Sequence, residues 1–127
     1  MAHGATLTTV NLSAADPGEL ARFYGQLLGW KIAVEEADWV LLRDPEGGVG
    51  LACQLEEFYT SPVWPAGRGD QQMMMHLEIL VDDLEEGGAH ARACGATLAE
   101  YQPQDDVRVY LDPAGHPFCL WIMTPSD

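Results

Sequence analysis

The sequence is poor in positive charge. Against 20 Asp and Glu it carries 6 Lys and Arg, a net charge of −14. A phosphate-backbone partner requires clustered cations, so no nucleic-acid partner is expected. Long apolar runs are also missing: none approaches the roughly 18 residues that span a bilayer, and no membrane partner is expected. The N-terminus lacks the basic-then-apolar layout of a secretory signal, which makes the cytoplasm the expected location. Cysteine is scarce. The three present, Cys53, Cys94 and Cys119, are widely spaced and odd in number. That pattern suits reduced thiols rather than a disulfide framework. No CxxC and no close Cys/His pair is read as a structural zinc site.

What the sequence does have is repetition. The pattern Asp-Pro-x-Gly occurs as Asp44-Pro45-Glu46-Gly47 and as Asp112-Pro113-Ala114-Gly115, 68 residues apart (112 − 44). A helical pattern opens at Asp16 and closes at Gly29; another opens at Asp82 or Asp83 and closes at Gly95. Each helix follows an alternating apolar stretch, Ala5 to Leu12 and Met73 to Val81, and each precedes short strand-like segments. A self-similar period is evidence about the whole fold. The order strand, helix, strand, strand, strand, twice over, predicts a duplicated α+β module in one domain spanning 1–127. Module one runs from about 5 to 56, a linker from 57 to 72, and module two from about 73 to 124. With 47% hydrophobic residues the interior has ample material.

Local signals support the elements. Asp16 is an N-cap residue with Pro17 at the first helical position, and Leu20, Phe23, Tyr24, Leu27 and Leu28 recur at helical spacing. Trp30 to Glu35, Trp39 to Arg43 and Val49 to Leu55 read as strands, as do Thr97 to Tyr101, Val107 to Leu111 and Pro117 to Met123. The linker holds Pro62, Pro65, Gly67 and Gly69, which exclude a regular element, yet it also carries Tyr59 and Trp64. It reads either as a loop tucked onto the core or as a flap over a pocket.

Three stretches carry a family resemblance. They are Asp16-Pro17-Gly18-Glu19-Leu20-Ala21-Arg22-Phe23-Tyr24, His76-Leu77-Glu78-Ile79-Leu80-Val81-Asp82-Asp83-Leu84, and Asp112-Pro113-Ala114-Gly115-His116-Pro117-Phe118-Cys119-Leu120. The chain resembles the vicinal oxygen chelate superfamily, which includes glyoxalase I, extradiol dioxygenases and bleomycin-resistance proteins, and within it a glyoxalase-like subgroup. The resemblance implies two tandem βαβββ modules whose mixed sheets form a cupped, open barrel with helices outside. It also implies a concave site, which in the enzymes holds a divalent metal on His and Glu from the first and last strand of each module.

Position by position, the metal ligands are mostly missing. The first-strand positions are Thr9 and His76, of which His76 matches; the last-strand positions are Gly50 or Ala52, and Cys119 where Glu is usual. About three protein ligands are needed for a catalytic divalent site, so no metal and no other cofactor is expected. The leading expectation is a metal-free, homodimeric protein that binds an apolar or cationic small molecule, the acidic charge suiting a cationic one. The alternative is a glyoxalase-like lyase or isomerase acting on a small carbonyl compound, with His76 and Glu78 as catalytic candidates. Ligand-binding candidates are Asn11, Gln54, Trp64, His76, Glu78, Tyr110, Cys119, Trp121 and Met123, a mixture of flat apolar walls and a few polar points. Strand parity places Thr9, Asn11, Arg108 and Tyr110 with Cys119 and Trp121 on the concave face.

Overall fold

The computed structural model describes residues 3–123. The chain divides into two compact units, with the boundary between Tyr59 and Thr60. The first contains β1 (Thr9–Ala14), α1 (Pro17–Leu28), β2 (Lys31–Glu35), β3 (Trp39–Arg43) and β4 (Gly50–Leu55). The second contains β5 (Leu77–Leu80), α2 (Leu84–Cys94), β6 (Thr97–Leu98), β7 (Val107–Leu111) and β8 (Pro117–Trp121). Both are βαβββ modules. Their sheets have the orders β1-β4-β3-β2 and β5-β8-β7-β6, with the first and last strands of each module parallel and the other pairs antiparallel. Each sheet is open, because its two edge strands do not pair with each other. Residue 124, assigned from the sequence to module two, lies outside the described residues.

The helix ends follow the expected chemistry. Asp16 accepts the Glu19 N–H at 3.0 Å, Pro17 opens the helix, and Gly29 closes it at φ 72, a left-handed conformation that suits glycine. Leu20, Ala21, Phe23 and Tyr24 are buried against the sheet, Phe23 and Tyr24 meeting edge-on at 4.8 Å. In α2 the cap is Asp83, which accepts the Glu86 N–H at 2.8 Å. This helix buries Gly88 and Ala91 rather than large side chains. It approaches the sheet so closely that a Cβ on Gly88 would overlap the Tyr110 hydroxyl.

The two Asp-Pro-x-Gly turns are built alike. Asp44 accepts N–H bonds from Glu46 and Gly48 at 2.9 and 3.2 Å; Asp112 accepts from Ala114 and His116 at 3.0 and 2.9 Å. Gly47 and Gly115 take positive φ values of 83 and 89. Strand ends shift from the sequence expectation: β1 begins at Thr9 and β5 at Leu77, and β6 is only two residues long. The residues between 60 and 72 belong to the second unit. Ser61 Oγ donates to the Ala114 carbonyl at 2.8 Å, and Val63 N–H donates to the Gln71 carbonyl at 2.8 Å. The linker is thus fastened to module two rather than free of both.

Candidate functional site

In module two, parallel pairing sets Glu78 opposite Cys119 and Leu80 opposite Trp121; antiparallel pairing sets Val109 opposite Cys119 and Val107 opposite Trp121. Paired residues share a face, so these six form the face turned away from α2. His76 lies just before β5 and keeps its alternation. Its Nε2 is 2.6 Å from Glu78 Oε2. His76 is 24% exposed in its side chain and Glu78 53%, whereas Cys119 is 3% exposed. The polar group therefore runs from a wet rim to a dry floor.

Cys119 is held protonated. Burial pushes its thiol from 9.0 up to about 11, and the Glu78 charge and the thiol's hydrogen bond to Glu78 add to the effect. A nucleophilic cysteine needs the reverse, a lowered pKa beside a base. Glu78 thus interacts with His76 on one side and the Cys119 thiol on the other.

Trp64 closes one side. Its ring lies 4.9 Å from the His76 ring at 32°, and Tyr101 meets Trp64 edge-on at 5.1 Å and 68°. Tyr101 was missed in the sequence because it read as the end of a strand. The strand stops at Leu98, which leaves Tyr101 in a loop that can reach Trp64.

Tyr110 and Arg108 do not share this face, and the parity expectation is corrected. Tyr110 pairs with Phe118 and Arg108 with Leu120. Odd positions of β7 match odd positions of β8, so the even ones point toward α2. There Tyr110 is buried, stacks on Phe118 at 6.0 Å, and has the Arg92 guanidinium 5.8 Å from its ring centre. Arg108 donates to the carbonyls of Asp105 and Val107 at 2.8 and 2.9 Å. Met123 lies two residues beyond β8 and is exposed, because the strand ends at Trp121.

In module one, register places Thr9 beside Gly50, Asn11 beside Ala52, Ser13 beside Gln54, Leu41 beside Ala52 and Trp39 beside Gln54. Trp39 Nε1–H donates to Asn11 Oδ1 at 2.9 Å, so this face has an indole that sequence reading left out. The signal was present: Trp39 alternates with Val40 and Leu42, which pack toward α1. Gln54 Nε2 donates to Glu56 at 3.0 Å. A cavity of about 560 Å³ opens on this unit, lined in part by Thr9, Leu41, Arg43, Asp44 and Gly50.

The pairing also decides which residue of module one corresponds to Cys119. Asn11 pairs with Ala52 as Glu78 pairs with Cys119, and 78 − 11 and 119 − 52 both give 67. Thr9, Asn11 and Ala52 therefore stand where module two has His76, Glu78 and Cys119. The module-one set offers no imidazole, carboxylate or thiol. The module-two set brings three donor atoms within 4.8 Å of one another. Glu78 is the donor that position-by-position comparison omitted. Imidazole, carboxylate and thiol fit a zinc-type ion better than Mg or Mn. On α2, a second Cys/His contact passed unnoticed: Cys94 Sγ is 3.9 Å from His90 Nε2, one turn away.

Among the described residues no helix is long and apolar enough to cross a membrane. Residues 9–121 match the glyoxalase-like domain family. No curated protein matches. Solved structures show the same fold. One is a glyoxalase/bleomycin resistance protein/dioxygenase family enzyme from Burkholderia phytofirmans, with 20% identity over 94% of this chain and 100% of that one, and a TM-score of 0.73. Another is a glyoxalase-related enzyme from Fulvimarina pelagi, with 20% identity, coverages of 93% and 88%, and a TM-score of 0.65. A glyoxalase/bleomycin resistance protein from Albidiferax ferrireducens shows 19% identity, coverages of 94% and 100%, and a TM-score of 0.63. With the family matched across both βαβββ modules, the chain belongs to the glyoxalase-like domain family of the vicinal oxygen chelate superfamily.

Proposed function

We propose that the protein binds an apolar or cationic small molecule, without a resident metal, on the open face of module two. The observation that carries this reading is the Trp64–His76 stack beside the half-exposed Glu78 carboxylate. An aromatic face next to a carboxylate favours an organic cation, through cation–π attraction of about 0.5–2 kcal/mol and direct charge attraction. Leu80, Val107 and Trp121 on the same face would take its apolar body. Exposed Phe58, Met74 and Met75 supply apolar surface that a second copy would cover, which supports a homodimer.

A second reading is favoured by the convergence of His76, Glu78 and Cys119. These three would hold a zinc-type ion, which when bound would polarise a substrate carbonyl as a Lewis acid. The function would then be that of a lyase or isomerase acting on a small carbonyl compound. Without metal, the His76–Glu78 pair could still move a proton on such a compound.

Metal analysis of purified protein separates the readings: a stoichiometric divalent ion that survives dialysis overturns the metal-free one. Binding is tested by thermal shift with aromatic and alkyl quaternary ammonium compounds. We expect a raised melting temperature, with affinity reduced about tenfold by Trp64→Ala or Glu78→Gln. If no cationic or apolar compound moves the melting temperature, the binding reading fails.

A further inference from the structure

Module one carries a cavity whose chemical character differs from that of the open face of module two. It measures about 560 Å³ and combines the apolar side chains of Leu7, Leu41 and Val49 with Thr9 and Arg43. Its floor is open because β4 begins with Gly50. A Cβ there would come within 2.7 Å of the Leu42 carbonyl, so the position cannot easily carry a side chain that would fill the space.

The charges are unusual for this protein. Although acids outnumber Lys and Arg by 20 to 6, Arg43 stands directly opposite Lys31 across the β2–β3 ladder. Like charges in that relation repel. Among the described residues neither forms an ion pair. The nearest acid in sequence, Asp44, is already engaged: its two carboxylate oxygens accept the Glu46 and Gly48 amides of the turn. Apart from Arg43 the cavity is lined by apolar side chains, threonine hydroxyls, turn glycines and Asp44, whose carboxylate the turn amides already engage. A planar guanidinium with no carboxylate partner at such a wall suits a carboxylate, which it can bind through two parallel hydrogen bonds. An anion placed there would also relieve the repulsion between Lys31 and Arg43.

We propose that this cavity is a binding site for a small organic acid with one carboxylate and an apolar body. The carboxylate lies on Arg43, with Thr9 as a hydroxyl donor, and the body lies against Leu41, Leu7 and Val49. All of its lining residues belong to module one.

The test is an amide chemical-shift titration of the full chain with sodium benzoate, using benzyl alcohol as the neutral analogue and sodium sulfate as the inorganic anion. The expected result is saturable shifts at Thr8, Thr9, Gly47 and Gly48 with benzoate. Benzyl alcohol and sulfate should bind at least about tenfold more weakly. Arg43→Gln should lose the benzoate response by about the same factor, while Arg43→Lys keeps part of it, because a lone ammonium retains the charge and loses the fork. Arg43 is exposed, so both variants should fold, and an unchanged amide spectrum elsewhere checks this. The proposal is overturned if benzoate produces no saturable shift up to about 10 mM. It is equally overturned if benzyl alcohol or sulfate matches benzoate, or if Arg43→Gln binds benzoate as the parent does.

Discussion

Replacing Gly88 with Ala should destabilise the protein, although helix propensity alone predicts the opposite. Alanine in a helix interior is worth about 1 kcal/mol over glycine. Here the new methyl would overlap the Tyr110 hydroxyl. Tyr110 is 2% exposed and stacked on Phe118, which is fully buried, so its ring has nowhere to swing. Overpacking of this kind costs about 1–3 kcal/mol, and a hemmed-in ring argues for the upper end. The net is about 3 − 1, or about 2 kcal/mol of lost stability, which for a chain of this length lowers Tm by about 6–10 °C. Removing the hydroxyl should release the clash. In Tyr110→Phe the nearest remaining atom is Cζ at 3.2 Å, a contact that a shift of a few tenths of an ångström relieves. In that background Gly88→Ala should cost little or nothing, a coupling of about 1.5–2 kcal/mol. Urea denaturation of the four proteins measures the cycle. A Gly88→Ala variant that is stabilised, or an equal penalty in both backgrounds, would refute the placement of Tyr110 under α2.

Two further predictions concern pH and the repeated turn. The unfolded Cys119 thiol ionises near 9.0 and the folded one near 11, so its contribution to stability is whole below pH 9 and is lost as pH rises toward 11. Cys94 is pushed the same way by burial, so the comparison belongs in a Cys94→Ala background. There Cys119→Ala should flatten the alkaline decline of the urea midpoint, and an unchanged slope would sink the assignment. Asp112→Ala should cost about 2–3 kcal/mol, because a carboxylate only 4% exposed serves two turn amides. Asp44→Ala, in a more open turn, should cost about 1 kcal/mol; equal losses in the two melting curves would contradict this difference in burial.

The order of elements and both helix caps were legible because their signals are local. Asp16, Pro17 and Gly29 act through their own backbone geometry, and the same holds for Asp83 and Gly95. Composition in Trp39 to Arg43 was likewise enough to set a strand, though not to place Trp39 on the open face beside Asn11. Facing across strands was not legible in β7. Alternation says that Arg108 and Tyr110 share a side, but not which side, and that depends on the pairing of Val109 with Cys119. Module two has Tyr110 under its helix because α2 presents Gly88 and Ala91, small residues that leave room for a ring. The sequence clue is Gly87 and Gly88, two residues that a helix interior otherwise disfavours. Trp64 and Tyr101 meet through loop structure, for which period carries no information.

The duplication explains why the chemistry is uneven. Both modules repeat the same scaffold, and the offset of 67 between the pairs Asn11–Ala52 and Glu78–Cys119 makes their open faces comparable position by position. The turns, however, are 68 residues apart. Module one therefore has one more residue between its turn Asp and the equivalent strand position: eight from Asp44 to Ala52, seven from Asp112 to Cys119. Because of that added residue, a count of seven from Asp44 lands on Leu51, and the strand register is what selects Ala52 over Gly50. At the chosen positions, module one spends its polar group on structure, Asn11 holding the Trp39 indole. Module two keeps its polar groups beside the half-buried Trp64 ring, with Glu78 more than half open to solvent. For a metal, Thr9, Asn11 and Ala52 offer no imidazole, carboxylate or thiol. Any ion held at the equivalent positions would have to rely on His76, Glu78 and Cys119, and one of those three is a thiol held protonated to about pH 11. Binding an ion there must displace that proton, so the affinity of such a site would fall as pH falls.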